Sequence, residues 1–314
     1  MNRKELINKA YQRGELLNLK NSMYKKWIDN FVFDEIKADI GTGDITSESV
    51  IKKAENAKAI VATREDGIIA GVEEATYLYE KYGIGVVAKK KDGDKIQKRD
   101  IIFELTGNAQ KLLEVERSAV DLLQRMSGIA TLTHELINKV DGKIKIAPTR
   151  KTHWRYLDKK AVFVGCGLTH RLALWESILI KDNHLTALKN RGVSDYVNEA
   201  LNLAWEKKEK ANFIEIETFN EWEAISAAKT FKDLQQGKID CPCIIMLDNI
   251  WPKDVKVIID KLKSQGLYDH VLLEASGGIN PDNIIEYSTT GIDVVSIGYL
   301  THSSRIINIG QKFV

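Results

Sequence analysis

Thr149–His184 reads TRKTHWRYLDKKAVFVGCGLTHRLALWESILIKDNH. It carries seven Lys/Arg (Arg150, Lys151, Arg155, Lys159, Lys160, Arg171, Lys181) against three acids (Asp158, Glu176, Asp182). The whole chain holds 46 basic and 44 acidic residues, so the local excess is not a composition effect. The charges adjoin apolar runs: IKIAP leads into Thr149-Arg150-Lys151, and SILI leads into Lys181-Asp182-Asn183-His184. Short β-branched runs that end abruptly in charge predict buried parallel strands whose last residues emerge at one end of a sheet. In α/β barrels that end holds the chemistry. Two such ends bearing Arg and Lys make a cup suited to carboxylate or phosphate groups.

Working outward, the same pattern recurs: IKIAPTRK, SILIKDNH, FIEIETF, CIIMLDN, VLLEASGG and VVSIGYL, six runs between Ile144 and Leu300. Amphipathic segments separate them, among them Val193–Lys208, Trp222–Asp233 and Pro252–Gln265. Strands alternating with helices predict parallel β/α units. Each run ends in polar residues (Arg150/Lys151, Lys181/Asp182, Glu215/Glu217, Asp248/Asn249, Glu274/Ser276, Ser296), as the mouth of a barrel requires.

Upstream, residues 1 to about 40 read as a helical extension packing on the surface or on a partner chain, with Leu6, Ala10, Leu16, Leu17, Trp27, Ile28, Phe31 and Phe33 at roughly helical spacings. Gly41–Ser49 is a loop with Thr46, Ser47 and Ser49 as candidate helix caps. From Ala59 the pattern becomes strands: two apolar runs flank Glu65-Asp66-Gly67, and two more flank Asp92-Gly93, each reading as a hairpin. Lys89–Lys91 reads as a solvated hairpin edge, and a helix is expected near Glu73–Tyr82. Leu112–Val140 is one or two helices, with Glu116, Arg117 and Arg125 off the apolar face and expected to be solvated.

At 314 residues, 44% hydrophobic and 29% charged, the chain can build a full core and argues against extended disorder. Its net charge of +2 makes no case for nucleic acid or an anionic membrane, and no apolar run reaches membrane-spanning length. The N-terminus lacks a signal-peptide core. Three cysteines (Cys166, Cys241, Cys243) are too few for a disulfide framework, so a reducing, cytoplasmic setting is expected. Cys241-Pro-Cys243 has no matching pair at zinc-site spacing and reads as structural.

Early strands contribute cations; the third and fourth contribute Glu215, Glu217 and Asp248. Glu215 and Glu217, two apart, point to the same strand face. An inward carboxylate pair needs a cation or a metal. Hard oxygen ligands favour Mg2+ shared with water and substrate phosphates, and a buried ion-pair network with Lys181 and Lys151 is the alternative. Ser276-Gly277-Gly278 and Ser296-Ile297-Gly298 end the last two strands, the usual phosphate site of such barrels. His170 and His184 are acid/base candidates against a purely structural role.

These residues together resemble the quinolinate phosphoribosyltransferase family (nicotinate-nucleotide pyrophosphorylase, carboxylating), from about Gly43 to Leu300. The motifs are Gly43-Asp44-Ile45-Thr46; Glu116-Arg117-Ser118-Ala119 through Leu123–Thr131; Thr149-Arg150-Lys151-Thr152; His170-Arg171; Leu179–His184; Ile214–Glu217; Met246–Asn249; Glu274–Ile279; and Ser296–Gly298 with Leu300–Ser303.

The resemblance implies an α/β protein with an N-terminal α/β sandwich (residues 41–115) and an open, incomplete parallel α/β barrel (116–300), preceded by the helical extension (1–40) and followed by a tail (301–314) returning to the first domain. It implies a homodimer in which Arg117 reaches the neighbouring subunit's site. Arg150, Arg171, Lys181 and His170 would hold a pyridine dicarboxylate. Lys151, Glu217 or Glu215, and Asp248 would face phosphoribosyl pyrophosphate and its Mg2+, with Glu217 and Asp248 as metal ligands and Lys151, Glu217 and Asp248 as catalytic groups. Ser276, Gly277, Gly278, Ser296 and Gly298 would take the 5'-phosphate. The implied reaction makes nicotinate mononucleotide, pyrophosphate and CO2 in NAD biosynthesis. The chain departs from the family pattern at Pro148, at His153-Trp154-Arg155 and at Gly165-Cys166-Gly167, all near the implied acceptor pocket. A different aromatic or heterocyclic acid, as in relatives linked to molybdenum transport, and a non-catalytic anion-binding barrel are the alternatives.

Overall fold

The computed structural model describes residues 2–314. In chain order its elements are α1 (Arg3–Tyr11), α2 (Ser22–Ile40), α3 (Ile45–Val50), β1 (Asn56–Thr63), β2 (Gly67–Ile68), α4 (Val72–Lys81), β3 (Gly85–Ala88), β4 (Lys95–Ile96), β5 (Ile101–Asn108), α5 (Ala109–Glu114) and α6 (Glu116–Lys139). They continue with β6 (Lys145–Pro148), α7 (Tyr156–Val164), β7 (Ile178–Ile180), α8 (Asp182–Asn190), α9 (Tyr196–Trp205), β8 (Ile214–Thr218), α10 (Glu221–Gln235), β9 (Cys243–Asp248), α11 (Pro252–Ser264), β10 (Leu272–Ser276), α12 (Ile284–Tyr287), β11 (Val294–Ile297), α13 (Tyr299–His302) and β12 (Ile309–Phe313). The chain forms two compact units. Unit one gathers residues up to Arg13, Glu135–Thr152 and Gly167–His302; unit two gathers Gly14–His134, His153–Cys166 and Ser303–Val314.

In unit one, the six apolar runs become a six-stranded parallel sheet in the order β6-β11-β10-β9-β8-β7. The strands follow one another around a barrel that stays open, because β6 and β7 do not pair. The crossover joining those two contains α7, which belongs to unit two. Register aligns the strand ends: Ile297 opposes Pro148, Ser276 opposes Ser296, and Ser276 opposes Asp248. Residues following those positions therefore emerge together.

Helix α1 begins with a reciprocal cap between Asn2 and Glu5. It packs Leu6, Ile7, Ala10 and Tyr11 in one cluster with Phe213, Ile244, Leu272 and Val294, which lie at the starts of strands β8 to β11. Each buried Leu, Ile, Val or Phe among them contributes roughly 1.5–3 kcal/mol on burial. Arg3 anchors the helix with two bonds to Asp293, of 2.5 and 2.6 Å. The first 40 residues are thus not a single extension: α1 is an integral part of unit one, because its apolar stripe has strand ends to cover, and α2 belongs to unit two.

Unit two contains an antiparallel sheet in the order β12-β1-β5-β3 and a two-stranded β2-β4 pair. The hairpin expected at Glu65-Asp66-Gly67 does not form. β1 pairs with β5 and β12, whereas β2 pairs with β4, so the Glu65-Asp66-Gly67 turn carries the chain from one sheet to another. β3 pairs with β5 across the β4 excursion rather than through a tight turn at Asp92-Gly93. A two-residue turn signal specifies a reversal, but not which strand receives the chain. Lys89 and Lys90 meet Glu104 and Asp100 at 3.0 and 2.7 Å. Helix α3 is capped by Asp44, which accepts the Thr46 and Ser47 N–H groups, rather than by the expected hydroxyl residues. The C-terminal segment joins the sheet edge through β12 and passes Gly128 so closely that an added Cβ would lie 1.9 Å from the Arg305 carbonyl oxygen. Among the described residues no helix is long and apolar enough to cross a membrane.

Candidate active site

Not all the positive charge of Thr149–His184 reaches the barrel mouth. Lys159 and Lys160 are buried in unit two, where Lys160 pairs with Glu73 and Glu74. Arg155, with a positive φ of 45°, also lies in unit two. The remaining four lie in unit one: Arg150 and Lys151 just after β6, Lys181 directly after β7, and Arg171 in the segment leading into β7.

Lys181 caps α8 and forms an ion pair with Glu217. Its backbone N–H is taken by His184 Nδ1 at 2.8 Å, which gives His184 a helix-capping role. Asp248 ends β9 half-buried. Burial pushes its carboxyl above the usual range, with Lys181 and Lys151 opposing that rise. Asn249 donates to Asp248 at 2.8 Å and turns through a positive φ of 56°. Its N–H bonds the Ser276 carbonyl at 2.9 Å, and a Cβ on Gly277 would lie 2.4 Å from its Oδ1. Only glycine fits there, at φ +88°. Gly298 faces the Lys151 side chain, with 3.3 Å between an added Cβ and Lys151 Cδ, and Thr301 bonds the Lys151 carbonyl at 2.7 Å. One rim therefore collects Lys151, Lys181, Glu217, Asp248, Gly277 and Gly298.

Arg171 is buried. Its Nη1 donates to the Ser177 carbonyl at 3.0 Å, while its buried Nε has no hydrogen-bond partner. Burial, then the neighbouring Arg150 guanidinium, hold its pKa below the usual value. Two guanidiniums crowded in this way, one partly unsatisfied, form a strong anion site.

His170 does not open onto that rim. It has a left-handed φ of 54°, it is buried, and its ring contacts Tyr11 and Phe213 edge-on at centroid distances of 5.2 and 5.5 Å. Nδ1 accepts the Arg171 backbone N–H at 2.7 Å, so Nε2 carries the proton. That Nε2 lies 3.4 Å from both Glu215 and Glu274. His170 and Glu215, both expected at the substrate, have these interior neighbours; Glu215 sits two residues deeper along β8 than Glu217 and is wholly buried. Burial and the Glu274 charge raise the Glu215 carboxyl well above its usual range; burial works against Glu274 too, but the neighbouring His170 imidazole brings it below its own. The three side chains converge closely enough for a metal, but a protonated Nε2 is no ligand. Ser296, expected at phosphate, is buried with its hydroxyl lacking a hydrogen-bond partner; Ser276 is buried with its hydroxyl 3.5 Å from the Ser296 carbonyl.

Arg117 lies on α6 in unit two, 64% exposed, with a 3.3 Å contact to Asp121. Arg125, expected on the same solvated face, is instead paired with buried Asp158. Cys241 and Cys243 are buried and burial raises both thiols, Cys241 to about 11, so neither is reactive. Tyr11 and Glu274 were not singled out as functional residues from the sequence. For Glu274 the signal is its position two residues before Ser276 on an inward strand face; for Tyr11 there is none.

Family descriptions match most of the chain: "Quinolinate phosphoribosyl transferase, C-terminal domain" over residues 129–312 and the N-terminal domain of the same family over residues 44–127. A probable nicotinate-nucleotide pyrophosphorylase [carboxylating] of Methanothermobacter thermautotrophicus is 35% identical over 90% of this chain and 98% of its own length. One from Bacillus subtilis is 34% identical over 91% and 92%. The solved nicotinate-nucleotide pyrophosphorylase of Francisella tularensis superposes with a TM-score of 0.76 at 28% identity, covering 92% of this chain and 96% of that one. With both domains matched in order and relatives aligned over nearly their full length, the chain belongs to the quinolinate phosphoribosyltransferase family and is an enzyme of that phosphoribosyl-transferring class.

Proposed function

We propose that this enzyme condenses pyridine-2,3-dicarboxylate with phosphoribosyl pyrophosphate, releasing pyrophosphate and CO2 and leaving nicotinate mononucleotide. The observation that carries the reading is the buried Arg171 guanidinium, its Nε unpartnered, beside Arg150. A dianionic acid supplies the missing partner of Arg171 Nε and a second negative charge for Arg150. Lys181 binds the same acid from the next strand end.

The 5'-phosphate is assigned to the backbone N–H groups of Gly277, Gly278 and Gly298, where glycine permits close approach. Lys151, beside Gly298, faces the pyrophosphate. As the ribose–pyrophosphate bond breaks, positive charge develops on the sugar, and Glu217 and Asp248 stabilise it electrostatically. The pyridine nitrogen attacks the anomeric carbon as pyrophosphate leaves; the resulting positive ring nitrogen stabilises the electron pair left on the adjacent carbon when its carboxylate departs as CO2, and that carbon takes a proton from solvent to give nicotinate mononucleotide. Arg171 and Arg150 hold that ring in register.

Asp248 fits a Mg2+ ligand: burial raises its carboxyl, and its one short protein bond comes from Asn249. Glu217 fits less well, since Lys181 already matches it. Mg2+ there, shared with substrate phosphates and water, would neutralise the departing pyrophosphate. Arg117, exposed on α6, is assigned to the site of a second copy in a homodimer.

The test is a panel of pyridine and related aromatic acids, scored by pyrophosphate and CO2 release with Mg2+. Quinolinate is expected to turn over best. Turnover of another acid with none of quinolinate would overturn the acceptor assignment, and binding without turnover of any acid would establish an anion-binding protein.

A further inference from the structure

Tyr11, Gln12 and Arg13 connect the end of α1 to unit two, yet their hydrogen bonds run to the segment that carries His170 and Arg171. The Tyr11 carbonyl accepts both the Thr169 N–H, at 3.1 Å, and the Thr169 hydroxyl, at 2.9 Å. The Arg13 N–H donates to that same hydroxyl oxygen at 2.8 Å. Arg13 Nε then donates to Glu176 at 2.8 Å, and the other Glu176 oxygen accepts the Leu172 N–H. Residues 169, 172 and 176 are thereby tied on both sides of Arg171. Beneath them the Tyr11 ring meets His170 edge-on, while His170 Nδ1 holds the Arg171 N–H. Thr169 is fully buried, and the Arg13 and Glu176 side chains are 12% and 2% exposed, so these contacts are shielded from competing water.

A left-handed residue such as His170 persists only where its surroundings over-determine it. Here the surroundings include Tyr11 and Arg13, about 160 positions away in sequence, beside Phe213, Glu215 and Glu274. We infer that Tyr11 and Arg13 are positioning residues that aim the Arg171 guanidinium at the carboxylates of the acceptor acid, acting through Thr169, His170 and Glu176 without touching substrate. This rests on the reading that Arg171 binds the acid, and extends the acceptor machinery to the N-terminal helix, far from any barrel-mouth motif.

The experiment compares Arg13→Ala/Glu176→Gln, which leaves no lone buried charge, with Arg13→Lys, Thr169→Val and Arg171→Ala, measuring melting temperature and both KM values. The double variant is expected to fold and to raise the KM for pyridine-2,3-dicarboxylate about tenfold or more, with the KM for phosphoribosyl pyrophosphate within about twofold of the parent. Arg13→Lys should recover most of the loss, and Thr169→Val should show the same one-sided rise, so it carries the test should the double variant not fold. Unchanged KM for the acid in a folded variant overturns the inference, as does an equal rise in both KM values, which marks general loosening. If Arg171→Ala weakens the acid while the double variant and Thr169→Val do not, the inference fails and the Arg171 reading stands. If Arg171→Ala leaves the acid KM unchanged, both fail.

Discussion

Arg125 grips Asp158 through two parallel hydrogen bonds, Nε and Nη2 each 2.8 Å from a carboxylate oxygen. Asp158 is wholly buried and also accepts the His153 and Trp154 N–H groups at 2.9 and 3.1 Å, while the guanidinium lies over the Trp154 ring at 5.3 Å. One carboxylate therefore shapes the loop in which this chain departs from its family. Arg125→Ala strands a buried charge, and it is expected to lower stability by about 3–5 kcal/mol. Urea unfolding checks this; a loss below about 1 kcal/mol would place the pair among weak surface bridges.

Glu215 provides a pH test. Burial and Glu274 raise its folded-state carboxyl well above the usual 4.5. A raised carboxyl adds stability that is complete below the unfolded value and lost as pH climbs through the folded one. Glu215→Gln removes that loss. The variant is expected to melt higher than the parent at about pH 8 and to lose the advantage toward about pH 4.5, each kcal/mol appearing as about 2–4 °C. Melting curves across that window decide it, and a constant offset at all pH values would mean that the Glu215 carboxyl titrates alike in the folded and unfolded chain.

The adjacent glycines after β10 should behave differently. Both have positive φ, +88° at Gly277 and +64° at Gly278, so alanine strains either by roughly 1–3 kcal/mol. Beyond that, Gly277→Ala drives a methyl into Asn249, whereas Gly278 faces open space. Gly277→Ala is expected to raise the KM for phosphoribosyl pyrophosphate about tenfold and lower kcat, with Gly278→Ala within about threefold of the parent. Equal effects would show that backbone strain alone matters, and that the interlock with Asn249 does not.

Much of unit one could be read from residue order. Runs such as FIEIETF and VLLEASGG are apolar, short and β-branched, properties intrinsic to a buried parallel strand, and their polar ends must emerge at one edge. Unit two was less legible. Glu65-Asp66-Gly67 and Asp92-Gly93 specify turns, but strand partners are chosen by long-range pairing, and β12 arrives from the far end of the chain to pair with β1. Arg125 and Arg117 share a helix and a charge, yet one is locked to Asp158 and the other is exposed; residue type cannot separate them.

Residue order alone determined the parallel β/α architecture, the family and the set of cations, carboxylates and glycines available to the rim, because each is encoded locally as a run, a spacing or a motif. Only the tertiary structure decided which of them face outward. It turned His170, Glu215 and Ser296 into the interior and left the Arg171 guanidinium with a free Nε beside Arg150. It also brought Tyr11 and Arg13 against Thr169 and Glu176. The reason is physical: strand alternation sets which face a side chain takes, but what occupies that face depends on packing between segments more than 150 residues apart, and local pattern carries no record of it.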